Sequence, residues 1–190
     1  MARPRGTGNR RLHMATMRSR RNPDQPTEPA PEPTPETAPA PTPTTGPETA
    51  AALDSMESEF FKLLNDYRAQ VLGDEFRLNN DMRLNASAED WSETMAKSDF
   101  FKHSNVYAQT EEYGYDAATA GEICSAGYGG SAQRMFDGFK GSSGHNAQML
   151  RTDVEDVGIG HYYLQDDTGS TNWSHYLTVQ FGTEVETILI

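Results

Sequence analysis

A chain of 190 residues with a net charge of −12 can hold one ordinary domain and a tail, but hardly two. Its single cysteine, Cys124, excludes an intramolecular disulfide and any cysteine-based zinc cluster. No window approaches the roughly 18 apolar residues of a membrane-spanning helix, and the excess of 23 Asp/Glu over nine Lys/Arg from Asp54 onward should repel nucleic acid and anionic membranes.

The first 21 residues carry seven arginines and no acid, and read as a basic, disordered leader. Arg10-Arg11 and Arg20-Arg21 look like twin arginines, yet no apolar run follows them, so no export signal is visible. Residues 22–53 are rich in Pro, Thr and Glu, and all eleven prolines fall between Pro4 and Pro47. Such a segment has too little apolar surface to offset the entropy of ordering its backbone, so it is expected to be an extended linker. Residues 54–190 are long enough for a single core that removes roughly two-thirds of the unfolded surface from water.

Asp54 followed by Glu57 forms a capping-box pattern that opens a helix, with Met56, Phe60, Leu63, Leu64, Tyr67 and Val71 at helical spacing and Gly73 as its stop. A second helix starts near Asn79 to Asp81; Leu84, Ala88, Trp91 and Met95 make its inner stripe, and it should end near Ser98. Between His103 and Gly130 periodicity is poor, and only a short strand around Ile123 is expected in an otherwise irregular, glycine-rich stretch. Ser131 caps a third helix with Met135, Phe136 and Phe139 inward, ended by Gly141; a short helix or turn covers Asn146 to Leu150. Alternation then takes over: Val157, Ile159, His161 and Tyr163, and again Leu177, Val179 and Phe181, flank the polar run Asp166 to Thr171. That is an antiparallel hairpin. Helices first and strands last, with no βαβ alternation, predict an α+β fold with helices on a small antiparallel sheet.

Four histidines lie in this region. His103 and His145 occupy junctions beside small residues, where a side chain can reach a cleft. His161 and His175 fall on the hairpin and read as ordinary strand residues. Cys124 reads as a small core residue, with no His or Asp pattern in sequence to mark it as a nucleophile. The Asp166 to Ser170 loop lacks the ligand order of a calcium-binding EF-hand, and Ser104, Ser142 and Ser143 read as cap or turn residues. Neither a His-Glu-x-x-His nor a Gly-x-Ser-x-Gly motif is present.

Five pieces occur in order: Phe100-Phe101-Lys102-His103-Ser104; Gly121-Glu122-Ile123; Phe139 to Leu150, containing Ser143-Gly144-His145-Asn146; Val157-Gly158-Ile159-Gly160; and Tyr176 to Gly182. Together with Leu64 to Arg68 and Leu84 to Ala88, they resemble the CAP superfamily, the cysteine-rich secretory, antigen 5 and pathogenesis-related-1 proteins or SCP domain, in its short bacterial form. The resemblance implies a three-layer α-β-α sandwich whose cleft is lined by two histidines and acidic residues and in several members takes up a divalent metal. Carried over by motif, these are His103, His145 and Glu122. Ile123 stands at the family's usual Asn, Ser142 at the second acid of eukaryotic members and Phe139 at a usual Trp, so a full two-His, two-Glu set is absent.

Two imidazoles and a carboxylate could hold zinc with a water in the fourth position, and zinc is the metal they suit best. Glu122 could instead fix an imidazole tautomer, leaving two direct ligands and a loosely held ion. The family implies a secreted or periplasmic protein, acting as a binding or interaction module for a lipid, glycan or protein. The alternative is a metal-dependent hydrolase, with peptides as a candidate substrate, that uses a zinc-bound water and Glu122 as base.

Overall fold

The computed structural model describes residues 53–186; the expected basic leader (1–21) and all but the last residue of the expected linker (22–53) lie outside them. Helix α1 (Ser55–Leu72) begins as the capping pattern requires. Asp54 Oδ1 accepts the Glu57 amide and Glu57 Oε2 accepts the Asp54 amide, each at 2.8 Å, so two otherwise orphaned donors are satisfied at once. Gly73 ends the helix at φ 121°, a backbone conformation that a side chain resists. Val71, expected in the inner stripe, is half-exposed instead. A turn of 3-10 helix (Asp74–Phe76) leads to the two-residue strand β1 (Asn79–Asn80) and then to α2 (Met82–Lys97), capped by Asp81.

After α3 (Val106–Glu112) comes β2 (Ala117–Gly127), followed by α4 (Ala132–Gly141), α5 (Ser143–Met149), β3 (Asp156–Tyr163) and β4 (His175–Glu184). The sheet order is β1-β3-β4-β2. β4 pairs antiparallel with both β2 and β3, as an antiparallel sheet requires, but β1 adds to β3 in parallel, so the sheet is mixed. The larger departure is β2. Eleven residues form a long strand where only a short one around Ile123 was expected in an irregular stretch, and strands therefore do not all follow the helices. Its sequence, Ala-Ala-Thr-Ala-Gly-Glu-Ile-Cys-Ser-Ala-Gly, has little intrinsic strand preference; pairing along the whole of β4 decides its conformation.

The two faces of the sheet differ in kind. Ile123, Val157, Ile159, Leu177, Val179 and Phe181 project to one side and bury against α1, α4 and α5, through Phe60, Leu64, Met135, Phe136, Phe139 and Met149. On the other side lie Glu122, Cys124, Gly158, Gly160, Tyr176, Thr178 and Gln180, covered by α2. Here the helix backbone meets the strand. A Cβ at Gly158 would stand 2.1 Å from the Leu84 carbonyl carbon, and one at Gly160 2.0 Å from the Glu89 nitrogen. Ser92 Oγ seals the contact, bonding Gly160 O and Thr178 Oγ1 at 2.8 Å each. The result is the α-β-α sandwich, with one greasy layer and one lined by small and polar groups.

Arg68 of α1 is fully buried, and burial lowers its basicity. Its guanidinium donates to the carbonyls of Phe76 (2.7 Å), Met149 (2.6 Å) and Arg151 (2.8 Å), tying α1 to the 3-10 turn and to the end of α5. Those carbonyls lie at chain turns where backbone partners are lacking, so the side chain supplies the donors that burial demands.

Candidate functional site

Glu122 sits on β2 opposite Gln180 of β4, on the α2 face of the sheet, with its side chain only 3% exposed. A carboxylate removed from water in this way must be compensated by donors, and four nitrogen and oxygen donors converge on it. Oε1 accepts the Ser104 amide at 2.9 Å and meets His103 Nδ1 at 2.9 Å; Oε2 accepts Ser104 Oγ at 2.5 Å and Gln180 Nε2 at 3.2 Å. The loop after α2 thus wraps its His-Ser pair around the carboxylate. His103 itself is 58% exposed at the side chain, so the ring spans the buried acid and the solvent.

A carboxylate at Nδ1 selects the tautomer with its proton there, which leaves Nε2 of a neutral ring as a lone-pair donor. His145, the other motif histidine, lies on α5 with its ring edge-on to Phe139 at 5.1 Å between centroids. Burial, and after it the charge of His103, holds His145 below the ordinary imidazole value of 6.5. Among the described residues His145 makes no hydrogen bond with His103 or Glu122, and its ring nitrogens are not in the group of potential ligand atoms that gathers at Glu122.

Cys124 needs a correction. Its side chain is buried, as expected of a core thiol, but a histidine and an acid do lie beside it in space: Sγ is 3.5 Å from Glu122 Oε1 and 3.8 Å from His103 Nδ1. His103, Glu122 and Cys124 form a group whose ligand atoms lie within 4.8 Å of one another. Burial, then the Glu122 charge, pushes the Cys124 thiol well above the usual thiol range, which disfavours the thiolate. The sequence signal for this neighbour was Glu122-x-Cys124 in the short strand expected around Ile123, since residues two apart on one strand share a face. Ser104, expected to be only a turn residue, supplies two of the four donors to Glu122.

The structure thus sets a loop histidine, His103, on a buried strand glutamate, and carries the second motif histidine, His145, on the short helix α5. Residues 61–181 match the profile of the cysteine-rich secretory protein family, CAP. The chain belongs to that family. Among solved structures, an extracellular protein containing an SCP domain from Bacillus anthracis superposes with a TM-score of 0.54 at 19% identity, covering 67% of this chain and 40% of the other. A cysteine-rich secretory protein from Staphylococcus aureus gives 0.52 at 14%, covering 67% and 38%. An outer surface protein from Borrelia burgdorferi gives 0.49 at 21%, covering 67% and 94%. At these identities the likeness shows the fold alone, and this CAP chain spans well under half of the Bacillus and Staphylococcus proteins. Comparison with curated protein sequences finds no match. Among the described residues no helix is long and apolar enough to cross a membrane.

Proposed function

We propose that this CAP domain is an extracytoplasmic binding module whose cleft takes up a divalent metal ion, zinc first, on the imidazoles of His103 and His145. The observation that carries the reading is the saturation of Glu122. With Ser104, Gln180 and His103 already on its two oxygens, the carboxylate is a partner that orients His103 Nδ1 and presents Nε2 outward, not a free ligand. Nitrogen donors suit zinc and fit magnesium and calcium poorly.

The same saturation counts against the hydrolase reading. A general base needs a free oxygen for the substrate's proton, and Glu122 would have to break existing bonds to offer one. A bound ion with two protein ligands is held weakly and exchanges, which suits a cleft that engages an outside ligand (a lipid, glycan or protein) through the ion or its rim.

Zinc titration of tag-free protein tests this. His103→Ala and His145→Ala should each abolish one zinc equivalent. Glu122→Gln should keep the equivalent but weaken it about 10–100-fold, the range for a lost outer partner. Unchanged zinc binding in both histidine variants would refute the proposal, and hydrolysis of peptides lost in step with the metal would favour the enzyme.

A further inference from the structure

Two histidines outside this cleft also meet. In the β3–β4 ladder Tyr163 stands opposite His175 and His161 opposite Leu177, so His161 and His175 are diagonal neighbours on the α1/α4 face, where the apolar row ends. The sheet separates them from Glu122, which projects to the α2 side. His161 Nε2 and His175 Nδ1 are 3.0 Å apart, with ring planes 15° apart and centroids separated by 5.2 Å. With the nitrogens so much nearer than the centroids, the rings meet edge to edge and do not overlap face to face.

Three other parts of the fold fix them there. Asp54 Oδ2, from the cap of α1, is 3.4 Å from His161 Nδ1, and Glu57 Oε1 accepts the His161 amide at 2.8 Å. Tyr163 packs on His175 at 4.8 Å between centroids. Gly130, in the loop before α4, lies so close to His175 that a Cβ would come within 2.0 Å of Cε1.

We propose that His161 Nε2 and His175 Nδ1 form a second site for a divalent transition metal, with Asp54 as the outer carboxylate that holds the proton on His161 Nδ1. Two imidazole nitrogens bound to one zinc at about 2.05 Å, at the tetrahedral angle, lie about 3.3 Å apart with centroids about 5.2 Å apart. The rings are therefore within a few tenths of an ångström of the pose they would take on an ion. Imidazole pairs select zinc, nickel or copper over the oxygen-seeking magnesium and calcium. In the metal-free pair one ring donates an N–H to the other; taking up an ion moves that proton from Nδ1 to Nε2 of His175, with no net proton lost. The carboxylates of Asp54 and Glu57 add attraction for a cation. Water completes the coordination, so affinity is modest.

The experiment isolates each histidine pair in the tag-free full chain, using zinc and nickel alone as probes. The His103→Gln/His145→Gln protein should still bind one ion, gain thermal stability as the ion is added, and lose both properties when His161→Gln and His175→Gln are added. Asp54→Asn in the same background should weaken the remaining ion tenfold or more without changing its stoichiometry. Should the fourfold variant misfold, the ring-proton NMR signals of His161 and His175 in the His103→Gln/His145→Gln protein give the answer: they must shift on zinc addition. No ion and no shift at those rings overturns the second site and leaves the cleft proposal untouched. Loss of one ion in the His103→Gln/His145→Gln protein relative to the unmodified chain tests the cleft separately.

Discussion

The two faces of one sheet are built on different physics. On the α1/α4 face, alternate aliphatic residues of three strands meet aromatic and aliphatic side chains of helices, and stability follows the apolar area removed from water. On the α2 face, glycines let a helix backbone touch a strand, and the contact is completed by hydrogen bonds of Ser92, Thr178 and Asn85. The first face tolerates small changes in volume; the second does not, because the atoms that would have to move are backbone. That difference also places the chemistry. The polar face can host a buried glutamate because donors are already there.

The sharpest way to break this comparison is to add one methyl group to the close face. Gly160→Ala would put Cβ 2.0 Å from the Glu89 nitrogen and 2.2 Å from the Ala88 carbonyl carbon. Lifting α2 from β3 should cost about 3 kcal/mol or more, read from urea unfolding; a loss below that expected for a minor repacking would show that the helix is not seated as described. Ser92→Ala comes next. It leaves the Gly160 carbonyl and Thr178 hydroxyl short of a partner in a dry layer, for a loss of about 2 kcal/mol. Ile159→Val is the contrast on the greasy face: one methylene removed rather than added, at about 1 kcal/mol. Equal losses for Gly160→Ala and Ile159→Val would erase the distinction between the faces.

The smallest effect lies at the rim of the polar face. Asp99, at φ 57°, accepts the Thr171 amide and the hydroxyls of Ser170 and Thr171, and these bonds hold its carboxyl well below the ordinary 3.8. A depressed folded-state value means that its stabilising contribution is present above 3.8 and is lost as pH falls toward the folded-state value. The melting-temperature gap between the native chain and Asp99→Asn should therefore narrow as pH is lowered from 5 toward 2, on the order of one carboxyl's titration. A gap that stays constant would show that the carboxylate is not the anchor of this loop.

Legibility followed the same division. Helices α1 and α4 announce themselves through caps and apolar spacing, and the β3–β4 hairpin through alternation, because those signals are written in side chains that face the greasy core; α2, on the other face, was legible through its Asp81 cap and its own apolar stripe. β2 was hidden: only Thr119 and Ile123 are β-branched among its small residues, and its conformation is imposed by β4. The short strand expected around Ile123 held the shared face of Glu122 and Cys124, but its full length was not legible. Arg68 gave no sign of burial, since nothing local shows that three carbonyls from Phe76, Met149 and Arg151 would gather around it. His103 and His145 were singled out by their junction positions, and Glu122 only by the family motif.

By itself the sequence determined the acidic, disulfide-free character of the domain, the start and end of its main helices, the final hairpin and the family to which its motifs belong. Only the tertiary structure decided what Glu122 does, that Cys124 stands beside it, and that His161 meets His175 across the hairpin. The reason is range. Caps and periodicity act within a turn or two of chain, whereas each of these meetings joins side chains on different elements or on a strand that exists only because another pairs with it.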